Sequence, residues 1–205
     1  DYAHLEPGGR EPIVGDKRFT ITGDDIERLI AANGFDPKGP NGRIVIAFRG
    51  AKLVDDEDDD NDGAVAGVDH VKLEETRPDH RNFRCVIGYY NRQTKKLAAY
   101  TASTVPNVKY MTNYYMVKND LGGNSGTGAN MLPTGCYVFR VGAHGNGSIY
   151  PALRLTDPEK LTEDGQATVL RTSNDLTFKT DDLFDKCTPY DHVHCAYADD
   201  SFSSA

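Results

Sequence analysis

The last stretch of the chain, HVHCAYADDSFSSA, gathers two histidines and a cysteine within four residues. In a strand His192 and His194 point to one face, and Val193 and Cys195 to the other. That spacing offers two chemistries. Two imidazoles on one face bind zinc when a third ligand joins them, and His144 or Asp191 has the right donor type. Alternatively, an imidazole serves as general base toward a thiol, because the thiolate is the nucleophilic form. Cys195 is poorly oriented for its neighbour His194, since adjacent strand residues face opposite sides. The plain structural alternative is a surface His192 and a hydrogen-bonded His194. Two further stretches carry candidate groups: VGAHGNG, with His144 between glycines, and LPTGCYVF, where Pro133 and Gly135 fix a turn that feeds a strand.

A second cluster is acidic. In DDEDDDNDGAVAGVD, Asp58, Asp60 and Asp62 followed by Gly63 match the opening of a D-x-D-x-D-G calcium loop. Val65 falls on its apolar position and Asp69 on its last ligand. The preceding RIVIAFRGAKLV reads as strand rather than helix, and Asp69 is shorter than the bidentate Glu of such loops. A solvated acidic loop is the alternative, because adjacent carboxylates repel and seek water.

The elements that must position these groups are mostly strands. TGDDIERLIAANG predicts a short helix. Thr22 caps it, Asp24 and Asp25 favour its positive end, Ile26, Leu29 and Ile30 share a face, and Gly34 ends it. FDPKGPNG is a loop, and RIVIAFRG a buried strand ending at Gly50. RCVIGYY and KLAAYTA form a hairpin around NRQTKK. LGGNSGTGANMLPTG is glycine-rich but lacks the Gly-Lys-Ser/Thr ending of a phosphate-binding loop. CYVFRVG, ALRL, ATVLRT and DHVHCAY are short strands between Gly, Asp and Pro turns. The expectation is a mainly β protein with a short helical N-terminal element, divided into an extended arm (1–18), a helix, strand and acidic loop (19–83), and a β domain (84–205).

The order of QTKKLAAYTASTVPN, LPTGCYVF, HVHC and a serine-rich ending resembles the catalytic domain of YkuD-type L,D-transpeptidases over about residues 85–205. Pro133-Thr134-Gly135 matches the strand-entry motif of that family. His194 matches its histidine, with Cys195 in place of the usual glycine, and Phe202–Ala205 resembles the approach to the Gly-Cys nucleophile. The resemblance implies an L,D-transpeptidase-like β-sandwich or barrel and a peptidoglycan-directed cysteine transpeptidase, peptidase or carboxypeptidase whose thiol lies just beyond Ala205. His194 is then the base, His144 or His192 orients it or binds the substrate carboxylate, and Gly135 lines the substrate path. Ser203 and Ser204 are the hydroxyl substitutes within the chain. Arg154 and Arg171 are candidates for pairing with a carboxylate of the peptidoglycan stem peptide. No cofactor is required, and calcium is the one for which the sequence offers a motif. Divergence of the N-terminal part suggests a secreted, periplasmic or phage-like particle, with other particle proteins as partners. The competing reading is a non-catalytic cell-wall-binding or structural component.

The chain has 205 residues and a formal net charge of −8, which argues against nucleic acid as a partner because phosphate neutralisation needs clustered Lys and Arg. No apolar run reaches the length of a membrane span, so membrane insertion is not expected. Its four cysteines, Cys85, Cys136, Cys187 and Cys195, form no CxxC pair; disulfides and free thiols are both compatible with them.

Overall fold

The computed structural model describes residues 18–54, 63–76, 82–105, 130–143, 151–157, 159–171, 183–188 and 192–193. By its contacts the chain falls into two units, residues 9–105 and residues 106–205, the latter joined by 1–8. The architecture is mainly β, built of several antiparallel sheets, and no sheet among the described residues closes on itself.

In the first unit, β1 (Arg18–Thr22) leads into helix α1 (Gly23–Ala32). Thr22 is the N-cap, as its position predicts. Its hydroxyl accepts from the Asp25 amide at 3.3 Å, and its own amide donates to the Asp25 carboxylate at 2.8 Å, so the capping box is complete. Gly34, at φ +63°, supplies the left-handed residue that follows the C-cap Asn33. Ile26 is buried and Ile30 packs on the core, but Leu29 is half exposed, so the apolar face is narrower than expected.

A four-stranded sheet follows the order β2 (Arg43–Arg49), β6 (Cys85–Asn91), β7 (Lys96–Ala102), β4 (Ala64–Val68). A three-stranded sheet follows the order β1, β5 (His70–Glu75), β3 (Ala51–Leu53). Two chain segments pass from one sheet to the other. β2 ends at Gly50, as expected; the chain turns there, at φ +73°, and a separate strand, β3, follows in the other sheet. The Gly50 carbonyl accepts from the Thr76 amide at 2.9 Å, which fixes that corner. The second corner is Asp69, between β4 and β5. Strands that switch sheets at bends are how two sheets share one core. That core joins Ile44, Val86, Tyr90, Leu97 and Ala99 of the larger sheet to Leu53, Val71 and Leu73 of the smaller one, with Ile26 from the helix.

The hairpin predicted around residues 92–95 is present, but it belongs to this first unit. β6 pairs with β2 from Arg43↔Asn91 to Arg49↔Cys85, and β7 pairs with β4. Cys85, Val86, Gly88 and Tyr90 of β6 and Leu97, Ala98 and Ala99 of β7 are all buried. Strands this apolar need cover on both faces, so they occupy the sheet centre and the unit ends at Val105 rather than before residue 84.

Among its described residues the second unit has two three-stranded sheets. One has the order β9 (Phe139–Ala143), β10 (Pro151–Leu155), β13 (His192–Val193). The other has the order β8 (Asn130–Met131), β11 (Ala167–Arg171), β12 (Leu183–Cys187). Met131, Val169 and Leu170 are buried, so β11 is covered on both faces at its centre. Asp157, also buried, ends β10: its carboxylate accepts from the Glu159 amide at 2.9 Å and its carbonyl accepts from the Leu161 amide at 2.9 Å, which closes a turn.

Candidate functional site

The β9–β10–β13 sheet holds what the described structure offers by way of a site. Its entry is the LPTG turn. The Tyr137 hydroxyl donates to the Pro133 carbonyl at 2.7 Å, and the ring lies over Gly135, where a Cβ would sit 3.2 Å from its edge. Tyr137 then meets Phe139 edge to face at 6.4 Å between centroids. The turn predicted at Pro133 and Gly135 is therefore clamped by an aromatic residue that the sequence gave no reason to single out, and it delivers the chain into β9.

On the sheet, Arg154 of β10 is directly opposite Arg140 of β9 on one side and His192 of β13 on the other. Two of the residues expected to bind substrate, Arg154 and His192, thus share one cross-strand row. Arg140 completes the row. Arg140 is exposed and Arg154 half buried. Among the described residues neither guanidinium has a carboxylate partner. A Cβ added at Gly142 would lie 2.7 Å from Arg154 Cδ, so the Arg154 stem crosses β9 over the glycine. Arg140 was absent from the expected set because its role depends on strand register. The signal was available in FRVGA and PALRL, which become one row of arginines once paired as a hairpin.

The remaining expected residues lie elsewhere. Arg171 ends β11, opposite Asn130 and Leu183, in the other sheet of the unit. His144, His194, Ser203 and Ser204 lie outside the described residues, as do Asp58, Asp60 and Asp62. His144 follows the last residue of β9, and His194 follows the last residue of β13.

In the described half of the acidic motif Val65 sits in a ladder opposite Ala99, and Ala64–Val68 runs as a strand with a bulge between Ala66 and Val68, where Gly67 has φ +70°. Asp69 is committed differently: Lys96 Nζ donates to it at 2.9 Å and holds its carboxyl below the usual aspartate range. Among the described residues no group of three His, Cys, Asp or Glu side chains converges to hold a metal ion. Cys85 is a free thiol, buried with its sulfur 2.9 Å from the Thr104 hydroxyl.

With this geometry in hand, the chain matches no family model, no curated protein and no solved structure.

Proposed function

We propose that the second unit is a cysteine acyl transferase or hydrolase acting on peptidoglycan stem peptides, as its resemblance to L,D-transpeptidases implies. The observation that carries this reading is the row Arg140–Arg154–His192. The strand that precedes His194 in the chain pairs with a strand bearing an arginine that has no carboxylate partner among the described residues, in the sheet that the Pro-Thr-Gly turn enters. On this reading Arg154 binds a substrate carboxylate, and His194, which follows β13 in the chain, serves as the base.

On this reading a thiol beyond Ala205 gives its proton to the His194 imidazole, and the sulfur attacks the peptide carbonyl carbon. The tetrahedral intermediate collapses to a thioester as the amide C–N bond breaks, and the imidazolium returns the proton to the departing amine. An acceptor amine then attacks the thioester and restores an amide, or water attacks and yields a carboxylate; either way the thiol is regenerated. Backbone amides beside the thiol stabilise the oxyanion.

The test uses the full-length protein and purified sacculi. Intact-protein mass spectrometry after mixing is expected to find a stem-peptide adduct on a cysteine, with D-alanine or new cross-links released into the products. Loss of the adduct in His194→Ala supports the assigned base. Stable binding to sacculi with neither adduct nor products would instead favour a cell-wall-binding component.

A further inference from the structure

We propose that Arg140 and Arg154 form a two-guanidinium fork that recognises a free carboxylate of a peptide, with Gly142 as the space that lets the fork assemble. The inference deepens the proposed function, since it names what the substrate must present, and it stands on a different set of residues from the acyl-transfer chemistry.

Directly opposed like charges destabilise a pair of strands. A lysine in that position could relieve the repulsion by losing its proton, but arginine stays charged at any relevant pH. Arg154↔Arg140 is such a pair, at the centre of the β9–β10 register that runs from Pro151↔Ala143 to Leu155↔Phe139. The register therefore sets two permanently charged residues at opposed positions, with no carboxylate partner for either among the described residues. An incoming anion removes the repulsion and gains charge-assisted hydrogen bonds from both, and the planar fork of each guanidinium matches a carboxylate's two oxygens.

Gly142 supplies the independent observation. Its φ lies outside the left-handed region, so the backbone does not require glycine there. The requirement is spatial: a Cβ would lie 2.7 Å from Arg154 Cδ and 3.3 Å from its Cγ. Any side chain at 142 forces the Arg154 stem off β9 and its guanidinium away from its present course. A surface arginine of no consequence needs no such clearance.

The ligand class is a peptide with a free carboxylate rather than a free small anion. In register His192 is the partner of Arg154 on its far side, so the row spans three strands, which suits an extended chain rather than a compact ion.

The experiment titrates full-length protein with a synthetic stem-type tetrapeptide carrying a free C-terminal carboxylate, with the same peptide as its carboxamide, and with inorganic phosphate. Calorimetry reads affinity. We expect the acid to bind at least tenfold more tightly than the amide, and Arg140→Gln or Arg154→Gln to abolish that preference. Gly142→Ala should weaken acid binding as Arg154→Gln does while leaving every charge in place. Arg154→Lys should not restore the preference, because an ammonium lacks the fork. Circular dichroism identifies any variant that does not fold, and exposed Arg140→Gln then decides the matter. Equal affinity for acid and amide, undiminished binding by Arg140→Gln, or displacement of the peptide by equimolar phosphate overturns the inference. Binding requires no nucleophile: acid-selective binding without turnover sinks only the acyl-transfer reading, and turnover without acid selectivity sinks only the fork.

Discussion

Two three-stranded sheets in this molecule carry a row of charged or titratable residues across all three strands, and the rows are composed oppositely. In β1–β5–β3 the row is Arg18–Glu74–Lys52, in which the central carboxylate lies between two cations, 3.3 Å from Arg18 Nε and 2.8 Å from Lys52 Nζ. In β9–β10–β13 the row is Arg140–Arg154–His192, with a cation at the centre and another beside it. In the first row one carboxylate bridges two cations and ties the three strands together. In the second no carboxylate among the described residues does so. The same contrast extends to the rest of the first unit, where Glu27 accepts from Tyr90, Arg92 and Lys95 and ties helix α1 to the β6–β7 hairpin.

The contrast assumes that the first sheet is structural and the second a working surface. Core substitution gives the largest test. Leu73, beside Glu74, has no solvent exposure, and Leu73→Ala should destabilise the protein by about 2–5 kcal/mol in urea denaturation. Leu153, beside Arg154, is only half buried, so Leu153→Ala should cost clearly less. Equal losses would mean that the two sheets are built alike.

A smaller effect is expected at the helix anchor. Glu27→Gln keeps the side-chain shape but removes the charge that Arg92 meets at 2.8 Å and 3.0 Å, and should cost about 1–2 kcal/mol. Acid should act in the same direction. The Arg92 hydrogen bonds hold the Glu27 carboxyl below its ordinary range, and Lys52 and then Arg18 do so for Glu74. A carboxylate with a depressed folded pKa stabilises the protein fully above its unfolded value, about 4.3 for Glu, and that stabilisation fades as pH falls through the folded value. Arginine as a residue type keeps its charge throughout that range. Amide exchange should therefore show β1, β5 and helix α1 losing protection below about pH 4 before β9 and β10 do. Simultaneous loss in both sheets would contradict the contrast.

The smallest effect has the opposite sign. Arg140→Gln removes a like charge opposite Arg154 and should stabilise the ligand-free protein by a few tenths of a kcal/mol, about what opposed like charges cost a sheet. Added salt should shrink that gain by screening the pair. Glu74→Gln, which leaves Arg18 and Lys52 with no carboxylate between them, should lower the melting temperature under the same conditions.

What the sequence disclosed was local. Helix α1 carried its own cap and terminating glycine, and the β6–β7 hairpin its own turn and apolar arms, so both were legible. The sheet β1–β5–β3 was not. Its β3 has only three residues, beyond the glycine at which the preceding strand ends as expected, and nothing in so short a stretch marks it as a strand of another sheet. β4 was hidden in an acidic run whose aspartate spacing suggested a calcium loop, although Ala64–Val68 pairs with β7. The first compact unit runs on to Val105 for a related reason, because the partners of β6 and β7 lie in β2 and β4. Arg154 and His192 could be nominated singly from residue type. Their adjacency, and the part of Arg140, followed only from the register of three strands, which no local pattern encodes.

The most direct test of the central contrast follows arginine Nε resonances of the full-length protein while the free-acid tetrapeptide is added. The account predicts that the signals of Arg140 and Arg154 move and saturate together, while those of Arg18 and Arg92, already bound to glutamates, stay where they are. Stationary Arg140 and Arg154 signals, or equal movement of all four, would contradict it.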